Sequence, residues 1–328
     1  MKAIKLSIWM MITIFIFVGC SSNNHDDDPD FDKGITDDFG YYLIDEFEGN
    51  GSTVELYSKN ENLEEGYNPM AIRILDQSTG KYVSGAEPIW YPEMDMIQHK
   101  HSAPHSTLTT PNHKTLYEGY MMFVMPSMSS TCSKGGMAMD SGDMDWFLDI
   151  EYALDGKKIK LTHQQICVAN QNEDKLINYI RFSPEGVDGT FFMALIEPNP
   201  GVVGGNDMTV ALHSSNNTNF GIVKNYKVEI DPRMPEKSMG NHSSPNNKHL
   251  EYDPQNKLYK GRVNFTMNGY WVLNLKVYDD KGNLVGGTDV THTAIGKGDE
   301  NVPAVDAEDY DPNAEGAKST LFFEVDFL

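Results

Sequence analysis

The sequence predicts an all-β protein: two tandem β-sandwich domains behind an N-terminal leader and an acidic tether. Three observations predict it. The apolar segments are short and rich in Val, Ile, Tyr and Phe. Gly, Asn, Asp and Pro turns separate them, with no long helical periodicity. And one set of motifs occurs twice in the same order.

The leader comes first. Lys2 and Lys5 precede an almost unbroken apolar run, Leu6 to Val18, too short to span a bilayer comfortably and suited to a signal peptide. Phe17-Val18-Gly19-Cys20 follows and resembles the lipobox of bacterial lipoproteins, with Phe where Leu is usual. The resemblance implies cleavage after residue 19 and a diacylglycerol group on Cys20, so that membrane lipid is the anchoring partner. Residues 20–39 then form the lipidated cysteine and a tether, polar and acidic from Ser21 to Asp38, with too little apolar surface to fold. The acidic cluster is similar to export signals of Bacteroidetes-type surface lipoproteins, and a solvated spacer accounts for it equally well. The location expected is extracytoplasmic, on the periplasmic or surface face of a bacterial outer membrane.

Removal of residues 1–19 leaves 309 residues, enough for two domains. Loss of Lys2 and Lys5 moves the formal charge from -22 to -24. Such a balance argues against nucleic acid, whose phosphates it repels. Beyond Cys20 the only cysteines are Cys132 and Cys167, a possible disulfide in an oxidising compartment.

Domain 1 spans residues 40–172, with strands expected at Tyr42 to Glu46, Ala71 to Leu75, Tyr120 to Met125, Trp146 to Tyr152 and Ile159 to Thr162. Domain 2 spans 173–328, with strands at Thr190 to Ile196, Met208 to Leu212, Tyr226 to Ile230, Arg262 to Thr266, Trp271 to Tyr278 and Thr320 to Phe327. The repeat aligns Tyr91 to Pro104 with Asp231 to Pro245, and Leu116-Tyr-Glu-Gly119 with Leu258-Tyr-Lys-Gly261. A methionine stands six residues beyond each glycine, Met125 and Met267. Strands opening at Trp146 and Trp271 close the series, after a longer loop in the first copy.

The same repeat concentrates soft ligands. Met94, Met96, His99, His101, His105 and His113 fall within twenty residues. Met125, Met128, Met137, Met139 and Met144 lie on or beside the long loop, and the second copy holds Met234, Met239, His242, His249 and Met267. Thioether is soft and imidazole borderline, a set suited to copper rather than calcium or magnesium. Thioether-rich binding would favour Cu(I) and tetragonal nitrogen-rich binding Cu(II). Methionine also fills cores, the better reading for Met121, Met122 and Met125 in their apolar strand. Nine methionines between residues 94 and 144, several beside Gly135-Gly136, exceed what one core would draw.

The stretch Pro232 to His242, followed by Gly261-Arg-Val-Asn-Phe-Thr-Met267 and the strand from Trp271, resembles YtkA-like domains, relatives in style of FixH-type and copper-resistance proteins. Met234-Pro235 supplies their usual Met-Pro pair. Met239-Gly-Asn-His242 is one residue longer than their Met-Gly-His, and Met94 in the first copy is followed by Asp95 rather than proline. What the resemblance implies is an immunoglobulin-like sandwich outside the cytoplasm that handles copper.

Catalytic signatures are missing: there is no Gly-x-Ser-x-Gly, His-Glu-x-x-His, phosphate-cradling glycine loop or Cys-x-x-Cys. His163, His213 and His292 read as surface or turn residues, and Trp146 and Trp271 as core residues at matching positions. Two functions are therefore expected in competition. One is a copper-binding lipoprotein that captures, buffers or delivers the ion to a copper-handling or respiratory-oxidase assembly protein. Its ligands would be Met94, Met96, His99 and His101 in domain 1 and Met234, Met239 and His242 in domain 2, with the long loop assisting. The other is a surface module that recognises a glycan or a partner protein.

Overall fold

The structure, a computed structural model, describes residues 40–327 except 97–98, 112, 129–131, 133–143, 171–175, 216–219, 295–303 and 307. Cys20, the tether, Met137 and Met139 therefore lie outside the described residues. Among the described residues no helix is long and apolar enough to cross a membrane.

Domain 1 packs two antiparallel sheets face to face. One holds Tyr42–Gly49 (β1), Ser52–Ser58 (β2), Gly66–Asp76 (β3) and Tyr117–Phe123 (β6), in the order β1-β2-β3-β6. The other holds Ile89–Met96 (β4), His99–Ser102 (β5), Asp145–Leu154 (β7) and Lys157–Ile166 (β8), in the order β8-β7-β4-β5. Alternate residues of each strand point inward. Val54, Leu56, Ile72 and Ile74 from one sheet thus meet Trp90, Met94, Trp146, Leu148 and Ile150 from the other in one buried core. This is the immunoglobulin-like sandwich, with strands that are neighbours in sequence crossing between sheets.

Domain 2 repeats the plan: Tyr179–Phe182 (β9), Thr190–Glu197 (β10), Gly204–Ser215 (β11), Lys227–Met234 (β12), His242–Ser243 (β13), Lys248–Asp253 (β14), Leu258–Phe265 (β15), Gly269–Tyr278 (β16) and Phe322–Phe327 (β17). The pairings β9-β10-β11-β15 and β17-β16-β12-β13 reproduce those of domain 1 strand for strand. A further pairing joins the sheets of the second copy. β14 pairs with β15 on one side and β12 on the other, so the ladder runs continuously from one sheet into the next. Among the described residues of domain 1 the corresponding stretch makes the single bridges His105 to Met121 and Thr109 to Glu118.

Two repeated anchors hold the plan together. The Tyr117 hydroxyl donates to the Val83 carbonyl at 3.0 Å and accepts from the Ala86 amide at 2.9 Å. Tyr259 does the same with Val223 and Tyr226, at 3.1 and 3.2 Å. The indole Nε1 of Trp146 donates to the Met125 carbonyl at 2.9 Å, and that of Trp271 to the Met267 carbonyl at 3.1 Å. The methionines spaced identically from the repeat glycines therefore serve through their backbone.

Strands depart from the expectation mainly where the segment is polar. β2 and β14 lie outside the expected strands, because Ser52–Ser58 and Lys248–Asp253 carry polar side chains among few apolar ones. In β2 these are satisfied internally: Ser52 bonds Tyr152, and Glu55 accepts from the Tyr57 and Tyr82 hydroxyls. The stretch 91–104 also forms strand: β4 and β5 make a hairpin with Met94 opposite His101 and Met96 opposite His99.

The domains meet through the outer faces of β6, β10 and β11. Tyr120 and Met122 pack there against Phe192, Ala194 and Ala211, while Met121, Phe123, Phe191 and Met193 face their own cores. This explains the unbroken apolar runs Tyr120-Met-Met-Phe123 and Phe191-Phe-Met-Ala194, which are covered on both faces. Cys132 and Cys167 form a disulfide, with Cα atoms 5.1 Å apart, tying the long loop to the end of the second sheet.

Candidate metal centre

In an antiparallel pair, residues directly opposite one another project to the same face. Met94 stands opposite His101 on one side and Trp146 on the other. The three therefore share the inner face of the sheet. Met94 and Trp146 are fully buried. The His101 ring sits edge-to-face on the Trp146 indole, centroids 5.3 Å apart and planes at 82°, and Phe123 also packs on the indole at 5.1 Å.

The proton positions on His101 follow from its contacts. Nδ1 lies 2.9 Å from the Ser102 carbonyl oxygen, which can only accept, so Nδ1 carries the hydrogen. In the neutral ring Nε2 is then a bare lone pair, the form in which imidazole binds metals. That Nε2 is buried and has no hydrogen-bond partner. A buried acceptor without a partner is unfavourable by about 1–3 kcal/mol, so it marks a place where a ligand is expected.

Domain 2 repeats the pairing, although His242 Nε2 is not among the buried atoms without a partner. Met234 is opposite His242, and Met234 and Trp271 are buried. His242 packs edge-to-face on Trp271 at 5.7 Å and 74°, with Phe265 against the indole at 5.4 Å. His242 Nδ1 donates to the Met239 carbonyl at 3.2 Å, again leaving Nε2 as the lone pair. A side chain at Gly269 would press on the Met234 methyl, at 3.1 Å from a Cβ built there.

The remaining expected ligands divide. Met96 is half-buried against the first core and His99, opposite it, is exposed. Both lie on the Met94–His101 face, two residues further along each strand. Met239 packs partly buried against the second core. Met128 is exposed on the loop, its amide bonded to the Met144 carbonyl. His105 does not join the pair at Met94. Its Nδ1 donates to the Ala103 carbonyl at 2.8 Å and its ring turns to the domain interface near His213, where burial holds its pKa below the usual imidazole value. Among the described residues no three His, Cys, Asp or Glu side chains gather as a metal site. A centre here thus depends on methionine.

One residue stands apart from its expected place. His213, expected at a surface or turn, is 2% exposed near the C-terminal end of β11. Its Nε2 lies 2.9 Å from the Tyr120 hydroxyl across the domain interface. Burial first, and then His105, press its pKa down to about 4. A single histidine in a polar-looking stretch, Ala211-Leu-His-Ser-Ser215, gives no sign that a second domain covers it. The role of Trp146 and Trp271 as walls of the Met–His pairs is likewise absent from the sequence reading, although their matching positions in the repeat carry the signal.

No family model matches this chain, and no curated protein matches it. Among solved structures the chain is similar to the Escherichia coli adhesin FdeC at 12% identity and a TM-score of 0.22, over 74% of this chain and 63% of that one. The chain thus spans less than two thirds of that structure. It is also similar to a conserved domain protein from Bacillus anthracis at 12% identity and a TM-score of 0.28, over 88% and 92% of the two chains. Overlaps this loose carry no argument about function.

Proposed function

We propose that this chain is an extracytoplasmic copper-binding lipoprotein, anchored through Cys20, that captures, buffers or delivers the ion and performs no catalysis. The observation that carries the reading is the duplicated Met–His pair, Met94 with His101 and Met234 with His242. Each histidine is held by a backbone carbonyl in the tautomer that presents Nε2. A neutral, thioether-containing donor set fits copper and not the hard cations, which require oxygen ligands. Met96, His99 and Met239 stand next to these pairs as supporting donors. The leader and tether accord with a compartment where thiols oxidise and thioethers stay available. A copper-handling or respiratory-oxidase assembly protein is the partner this reading calls for.

The test is a copper titration of the full chain in detergent, with mass spectrometry counting bound ions. One or two coppers per chain are expected, lost on joint substitution of Met94, His101, Met234 and His242. A chain that binds no copper beyond a weak acidic background would overturn the reading in favour of surface recognition.

A further inference from the structure

We infer that both pairs select Cu(I) over Cu(II), with the indoles of Trp146 and Trp271 as a third, cation-attracting wall; this rests on the copper-binding reading above. Three features of the two pairs point there. First, Met94 and Met234 are buried and their partners are an imidazole and an indole, so the site itself supplies no negative charge. The carboxylates nearest along the hairpin, Glu93 and Asp95, are paired with Lys100 at 2.6 and 3.3 Å, and buried Asp145, opposite Asp95 and next to Trp146, accepts from Gln165 at 2.6 Å. Asp231 is paired with Arg233 at 2.6 Å. Desolvation of an ion scales with the square of its charge, so a dication in such buried surroundings meets about four times the penalty of a monocation.

Second, the donor number is small. Each pair sets one thioether-bearing and one imidazole-bearing residue opposite one another across a two-strand hairpin. No carboxylate or further imidazole nitrogen completes a tetragonal plane, because among the described residues no three such side chains gather. Low-coordinate binding by a soft sulfur donor suits Cu(I), whereas Cu(II) requires a tetragonal nitrogen or oxygen set. Third, each imidazole is packed on a tryptophan fixed at its Nε1 by a backbone carbonyl, in both domains alike. The indole is the aromatic ring that attracts cations best. In domain 1, exposed His99, half-buried Met96 and buried Met94 lie on one face and form a graded path inward from solvent.

The experiment compares Cu(I), kept reduced by ascorbate, with Cu(II) and with Ag(I) as a redox-inert monovalent probe. Each is titrated into the full chain in detergent while ion count and indole emission are followed. The expected result is two Cu(I) or two Ag(I) per chain, with tryptophan emission quenched in step with occupancy. Met94→Leu and Met234→Leu, which conserve volume, should each remove one ion and leave the fold intact by circular dichroism. Their affinity loss at the altered site should be at least about 100-fold. Trp146→Phe and Trp271→Phe should remove the emission change. Cu(II) bound at the same residues as tightly as Cu(I) would overturn the selectivity and leave the copper reading standing. Ag(I) bound without an emission change would overturn the indole wall. Absence of binding by all three ions would overturn both readings.

Discussion

Acidification offers the sharpest test of the domain interface, through His213. The imidazole is buried in β11 and bonded to Tyr120 of the other domain, and its folded pKa is about 4 against 6.5 for the free group. Between these values the unfolded chain binds a proton that the folded chain refuses. Stability from this group is therefore fully present above about pH 6.5 and is lost as pH falls towards 4. The loss amounts to about 2 kcal/mol at pH 5 and about 3 kcal/mol at pH 4. His105, pressed down by its own burial, adds a loss in the same direction. Urea denaturation of the native chain and of His213→Gln, at pH 7.5, 6, 5 and 4, isolates the effect, because other acid-sensitive groups appear in both proteins. The glutamine side chain cannot titrate, so the stability difference between the two should shrink by about 2 kcal/mol from pH 7.5 to pH 5. A difference that stays constant over this range would refute the placement of a neutral, interface-buried His213.

The tyrosine anchors should behave as equals. Tyr117→Phe and Tyr259→Phe each leave a backbone amide and carbonyl without their hydroxyl partner, so each should lower stability by about 1–3 kcal/mol in thermal denaturation. An effect confined to one copy would contradict the repeat. Gly261→Ala should also destabilise by about 1–3 kcal/mol, since its Cβ would stand 2.5 Å from the Lys248 carbonyl oxygen and part β14 from β15. Unchanged denaturant midpoints would show that the two strands do not approach as described. Reducing the Cys132–Cys167 bond releases a segment whose ends are 35 residues apart, for which chain entropy gives about 4 kcal/mol. Denaturation with and without dithiothreitol measures it, and equal midpoints would exclude the crosslink.

By itself the sequence determined the layer architecture and its duplication. Strand patterns repeat locally, and the Leu-Tyr-x-Gly, Met and Trp elements each fix a contact within their own domain: a tyrosine on two backbone groups, an indole on a carbonyl. Contacts of that kind leave their spacing in the chain. Met94, His101, Met234 and His242 were legible as soft donors for the same reason, since residue type and repetition both showed. The tertiary structure decided which of those donors meet. Hairpin register set Met94 opposite His101, and pairing of two strands distant in the chain brought Trp146 to the same face; neither register is encoded in local pattern. It also decided His105 and His213, whose burial comes from a second domain docking on the outer faces of β6 and β11. Desolvation depends on every atom that surrounds a group, so nothing in the neighbours of His213 along the chain could have announced it.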